Sequence, residues 1–77
     1  MKIYIEWIGL LHIEGIKNNS MLELKEGATI FNLYDQLKIK KDHQRFISCF
    51  VNGEEKKMFT ILKTNDKIKL FLPTGGG

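Results

Sequence analysis

Three glycines, Gly75-Gly76-Gly77, end the sequence after Leu70-Phe71-Leu72-Pro73-Thr74. They have no side chain to give to a core, and each carries a large ordering cost, so packing offers no reason for them. What they offer is reach and access. An extended chain from Pro73 to Gly77 spans roughly 17 Å at about 3.4 Å per residue, and it is thin enough to thread a narrow channel in another protein. A carboxylate at the end of such a thread can be delivered to a remote active site. A frayed terminus or a cloning remnant has the same composition, so the rest of the chain must decide between the readings.

The other residues with chemical potential are few. Cys49 is the one cysteine, which excludes an internal disulfide, and with His12 and His43 beside it there is no cluster with metal-ligand spacing. No metal site is expected. Cys49 could carry a persulfide, yet it stands mid-strand in line with Ile47 and Val51, where a small core residue is the simpler reading. The two histidines have no adjacent nucleophile or base and read as surface residues. The terminal glycines precede no helix and cannot form a phosphate-binding loop. The chain is therefore not expected to be an enzyme by itself.

Composition bounds the rest. Seventy-seven residues make one small domain that buries only about 60% of its unfolded surface. The 43% hydrophobic content with clear periodicity indicates a folded globule. Residues 1–72 read as the domain and 73–77 as a flexible glycine tail. No apolar run approaches the length of a membrane span, and the N-terminus is a charged strand pattern rather than a signal peptide, so a cytoplasmic protein with no membrane partner is expected. The net charge of +3 comes from lysines spread along the chain, with Arg45 the single arginine and only short pairs at Lys40-Lys41 and Lys56-Lys57. Nucleic-acid binders concentrate such charge on one face, so a solvated surface is favoured and a small basic nucleic-acid-binding domain is the remote alternative.

The elements that would hold the tail follow from periodicity. Residues 2–8 alternate in period two, with Ile3, Ile5 and Trp7 on one face and Tyr4, Glu6 and Ile8 on the other. Turn formers from Gly9 to Ser20 predict a long hairpin loop, and Met21 to Lys25 a short second strand ended by Glu26-Gly27. Thr29 stands at a helix N-cap, followed by Ile30, Leu33, Tyr34 and Leu37 at helical spacing, which predicts one amphipathic helix of about ten residues. Lys38, Lys40 and Lys41 would complement its C-terminal dipole. Phe46 to Val51 is β-rich, Asn52-Gly53 is a strong hairpin turn, and Glu54 to Met58 should return antiparallel. Thr60-Ile61-Leu62 reads as a turn that plugs the core. Lys67 to Leu72 is the last strand, with Ile68, Leu70 and Leu72 facing in. The order β-β-α-β-β-β suggests an α+β fold whose terminal strands pair in parallel, so that the tail leaves from mid-sheet.

These pieces resemble the β-grasp, ubiquitin-like sulfur-carrier family, which includes the small subunit of molybdopterin synthase and the thiamine-pathway carrier. The matching stretches are Lys2 to Ile8, Leu24 to Thr29, Val51-Asn52-Gly53-Glu54, Asn65-Asp66-Lys67-Ile68, and Phe71-Leu72-Pro73 followed by glycines. Singly they are weak; in this order they cover nearly the whole chain. The resemblance implies a mixed sheet of four to five strands covered on one face by one main helix. It implies a carrier, with no cofactor of its own, whose terminal Gly77 is adenylated by a ubiquitin-activating-like enzyme that uses ATP. A sulfur donor protein then converts it to a thiocarboxylate, and an acceptor synthase subunit takes the sulfur. Gly75 and Gly76 would give clearance. The length and the long first loop favour the molybdopterin type over the thiamine type; a ubiquitin-like covalent modifier is the alternative. The chain departs from the family in ending with three glycines rather than two, and in being basic where many such carriers are acidic.

Strand parity also predicts a docking surface. With Ile68, Leu70 and Leu72 facing the helix, Phe71 faces away, and Phe50, Phe46 and Tyr4 share that parity. Clustered exposed rings mark a partner site, so these four are the candidate partner-binding residues.

Overall fold

In a computed structural model of the protein, the structure describes residues 1–9 and 11–72. The expected tail, Pro73 to Gly77, lies outside the described residues. Strand β1 (Lys2–Gly9) buries Ile3 and Ile5 completely and leaves Tyr4 and Glu6 half-buried, as its alternation requires. Strand β2 (Ser20–Glu23) pairs antiparallel with it. The loop between them is closed by Asn18, whose side-chain oxygen accepts from the Trp7 N–H at 2.9 Å while its amide donates to the Trp7 carbonyl at 2.8 Å. One side chain thus satisfies both backbone groups that a strand partner would otherwise meet.

Helix α1 (Ile30–Gln36) begins at a reciprocal cap: Thr29 Oγ1 accepts from the Asn32 N–H, and Asn32 Oδ1 accepts from the Thr29 N–H. It is shorter than the periodicity predicts. Lys38 takes a left-handed φ of 60°, the Ile39 N–H reaches back to the Tyr34 carbonyl and the Lys38 N–H to the Asp35 carbonyl. That pair of bonds is a Schellman ending, with Ile39 and Tyr34 both buried as its apolar contact. The three lysines therefore do not form a basic last turn. Lys38 lies past the end of α1, while Lys40 caps and Lys41 opens a second, unexpected helix, α2 (Lys41–Gln44).

Strand β3 (Ser48–Val51) and strand β4 (Glu54–Lys56) form the predicted hairpin, with Asn52 and Gly53 at φ of 53° and 88°. Strand β5 (Lys67–Leu72) runs parallel to β1 and antiparallel to β3. The sheet order is β2-β1-β5-β3-β4, so the strand that leads into the tail is central. Ile30, Leu33, Tyr34 and Leu37 share one core with Ile3, Ile5, Cys49, Val51, Ile68 and Leu70. Leu62 plugs the open end at 2% exposure, its N–H bonded to the Ala28 carbonyl, while Ile61 turns outward. Among the described residues no helix is long and apolar enough to cross a membrane.

Gly9 pairs with Leu72 at the end of the central ladder and adopts φ of 90°. A Cβ there would overlap the Leu72 carbonyl oxygen, whereas Gly15, also at positive φ, faces open space. Gly9→Ala should therefore cost about 3 kcal/mol and Gly15→Ala about 1 kcal/mol. Urea midpoints at unchanged slope would show the difference, and equal losses would mean that close approach at the tail root is unimportant.

Candidate functional site

The site is built around the point where β5 ends. Leu72 is held on one side by Gly9 of β1, and the preceding Phe71 is held by Ile8 of β1 and Ser48 of β3. A chain leaving this point starts from backbone bonded on both sides. Helix α1 covers one face of the sheet, and the other face is open.

On the open face three rows of side chains cross the central strands. Ile8, Phe71 and Ser48 form the row nearest the tail root; Glu6, Lys69, Phe50 and Glu55 form the next; Met21, Tyr4 and Lys67 form the third. Phe71, Phe50 and Tyr4 are half-buried and share this face, with Phe71 and Phe50 diagonal to one another. Lys67 and Lys69 stand between Tyr4 and Phe50, and the Lys69 ammonium lies 3.8 Å from Glu6. Tyr4, Phe50, Lys67 and Lys69 line a shallow depression of ≈ 710 Å³. The surface is thus rings laced with paired charge, not a continuous apolar sheet. Phe46 is not on a strand: its N–H bonds the His43 carbonyl in the turn after α2, and β3 begins only at Ser48. It is 51% exposed, with the Arg45 guanidinium 5.2 Å over its ring. Parity counted back from Phe50 does not extend across that turn. Two exposed residues that the aromatic reading passed over, Ile8 and Met21, flank Phe71 and Tyr4 in their rows. The alternation of β1 already placed Ile8 on this face.

Cys49 is on the covered face at 2% exposure. Burial pushes its thiol up to about 12, only partly opposed by a hydrogen bond with the Tyr34 hydroxyl. The same burial raises Tyr34 from its ordinary range. A neutral, enclosed thiol is neither nucleophile nor persulfide carrier. His12 sits 3.6 Å from Glu14 with both side chains almost fully exposed, and His43 is on the surface of α2.

The family model described as the ThiS family matches residues 12–77, a span that includes all three terminal glycines. The chain belongs to the ThiS family. No curated protein matches it in sequence. Among solved structures it is similar to SAMP1 from Haloferax volcanii, at TM-score 0.76 and 19% identity over 100% of both chains. A structure of the small archaeal modifier protein 1 of H. volcanii gives TM-score 0.73 and 17% identity over 95% of this chain and 98% of that one. A chain in the complex of subunits 1 and 2 of the molybdopterin-converting factor from Helicobacter pylori gives TM-score 0.65 and 22% identity, again over 100% of both. These likenesses establish the ubiquitin-like β-grasp fold, and the family match makes the chain a ThiS-family domain.

The burial of Cys49 gives a direct check on where the chemistry is not. A thiol reagent at pH 8 should leave folded protein unlabelled and modify Cys49 only once the chain is denatured. The raised thiol pKa also contributes stability that is whole below its ordinary value of 9.0 and is lost as pH rises toward about 12. Rapid labelling of the native protein at pH 8 would contradict this assignment.

Proposed function

We propose that this protein is a sulfur carrier for cofactor biosynthesis, with the carboxylate of Gly77 as its working group. A carboxylate is a poor electrophile. In an ATP-using activating enzyme, a carboxylate oxygen of Gly77 attacks the α-phosphorus of ATP, pyrophosphate leaves, and the acyl group gains AMP as a good leaving group. The terminal sulfur of a donor protein's persulfide then attacks the acyl carbon and AMP departs. A second thiol cleaves the resulting acyl disulfide, which leaves a thiocarboxylate on Gly77 and a disulfide on the donor. ATP belongs to the partner, and this chain is co-substrate rather than enzyme.

The observation that carries this reading is the family match running through Gly77, on a fold whose central strand leads directly into the tail. Gly75 and Gly76 provide clearance, since the same thread must lie against ATP phosphates in one protein and enter an acceptor pocket in another. The open face, with Phe71, Phe50 and Tyr4, is the surface on which the activating enzyme and then an acceptor synthase subunit dock, and Phe46 adds to its rim. The molybdopterin type is favoured over the thiamine type by the long loop between β1 and β2 and by the likeness to a chain of the molybdopterin-converting factor complex.

Incubation with ATP, an activating enzyme and a persulfide donor should make the C-terminal peptide heavier by the difference between sulfur and oxygen. Conjugates joined through lysines of other proteins would instead identify a modifier. Deleting Gly76 and Gly77 should leave the thermal melt unchanged and abolish ATP–pyrophosphate exchange; normal exchange by the truncated chain refutes the role of the tail.

Phe71→Ser should weaken partner binding by about 1–3 kcal/mol with little loss of stability. Unchanged affinity in a calorimetric titration, or an unfolded variant, would show that Phe71 is not an anchor on this face.

A further inference from the structure

The helix-covered side of the tail root carries a second feature that the open face does not explain. Between the β1–β2 loop and the elbow joining α1 to α2 lies a groove of ≈ 730 Å³ with Leu72 on its wall. Its floor is apolar, made by Leu11, Leu37 and Ile39, all buried, together with half-buried Leu72. Its rim carries Lys38, Lys40, His12 and His43, all exposed, against the single carboxylate of Glu14, which already lies 3.6 Å from His12. Neither lysine is ion-paired with a described residue.

The elbow that presents these lysines is rigidly made. Gln44 is 3% exposed, and its side-chain amide donates to the Ile39 carbonyl at 2.9 Å and to Asp35 Oδ1 at 3.3 Å. With the Schellman bonds of Lys38 and Ile39, this fixes the backbone on both sides of Lys38 and Lys40. The charges therefore stand on a preorganised frame and lose little freedom on meeting an anion.

We propose that this groove docks an acidic segment of the protein that receives the tail, with carboxylates on Lys38 and Lys40 and an apolar side chain on the Leu37–Ile39 floor. The proposal rests on the sulfur-carrier reading for the partner's role, but not for the chemistry of the groove. Charge complementarity selects the occupant: two exposed ammonium groups, with no ion-pair partner among the described residues, and two imidazoles frame an apolar trough. The trough has no Phe, Tyr or Trp on which bases could stack, and no arginine, so it suits an acidic peptide better than a nucleic acid. Geometry selects the partner. Five residues follow Leu72, so a protein that holds Gly77 has its active site within roughly 17 Å of the groove wall. Electrostatic contact there would steer the encounter while the open face supplies apolar anchoring.

The test uses the full chain and two readouts. In an NMR titration with a hexaglutamate peptide at low salt, amide shifts should centre on residues 11–16 and 36–43, and Lys38→Glu with Lys40→Glu should weaken binding about tenfold. In ATP–pyrophosphate exchange with the activating enzyme, the same double variant should raise KM about tenfold at unchanged kcat, with the gap closing as salt is added. If charge reversal unfolds the chain, Lys38→Asn, which tolerates positive φ, combined with Lys40→Gln should give the same result in weaker form. Shifts centred on Lys56, Lys57 and Lys63 would overturn the proposal. So would wild-type affinity and KM in the variants, or a single-stranded RNA oligomer that takes the groove at lower concentration than the peptide. Absence of exchange with the wild-type chain would overturn the sulfur-carrier reading instead, while the peptide titration still decides the groove.

Discussion

The parallel pairing of β1 with β5 is the contact on which everything else in the molecule depends. It runs from Tyr4 opposite Lys67 to Gly9 opposite Leu72 and joins the two ends of the described chain at the centre of the sheet. Parallel strands cannot be joined by a tight turn, so the whole of residues 10–66 is the crossover that closes this pair. Its lower end is tied by the Tyr4 N–H to the Asp66 carbonyl and the Asn65 N–H to the Lys2 carbonyl. Asn52 reinforces it from the β3–β4 turn by donating to Asp66 and accepting from the Lys67 N–H. Each inward residue of the pair, Ile5 with Ile68 and Trp7 with Leu70, lies on the face that α1 covers. Loosening that ladder would expose the core and release the root of the tail together.

This arrangement separates mechanical work from chemical work. Among the described residues, the core's Cys49 and Tyr34 are enclosed and held neutral by burial. In the proposed function the folded part's contribution is a stiff base for the C-terminal residues, with the two proposed docking surfaces on either side of that base. One helix can cover only one face of a five-stranded sheet, so the other must meet water. The open face does so with half-buried rings interleaved with Lys67, Lys69 and Glu6, a composition that stays hydrated when alone and can still bury area on a partner.

Much of this was legible in the sequence because it is set by local rules. Period-two alternation in residues 2–8, 48–51 and 67–72 decided which side chains face the core, and it also put Tyr4, Phe50 and Phe71 on the opposite face. Asn52-Gly53 determined a hairpin because both residues accept positive φ, and Thr29 determined the helix start through its hydroxyl. The three terminal glycines, useless to a core, raised the expectation of a tail, and the family match includes them.

What only the tertiary structure decided is where local signals are silent or misleading. Lys38 takes a glycine-like conformation without being glycine, because burying Ile39 against Tyr34 outweighs the local strain of about 1–2 kcal/mol. Helix α2 is four residues long, too short to leave a periodic pattern, and it exists because Gln44 turns inward to satisfy the Ile39 carbonyl. Phe46 leaves the parity of β3 because a turn, not a strand, precedes Ser48. Lys38 and Lys40, which looked like part of a dipole-complementing helix end, became the rim of a groove beside Leu72. Spacing along a chain encodes which neighbours an element presents, whereas the end of an element is decided by the free energy of burying side chains distant in sequence.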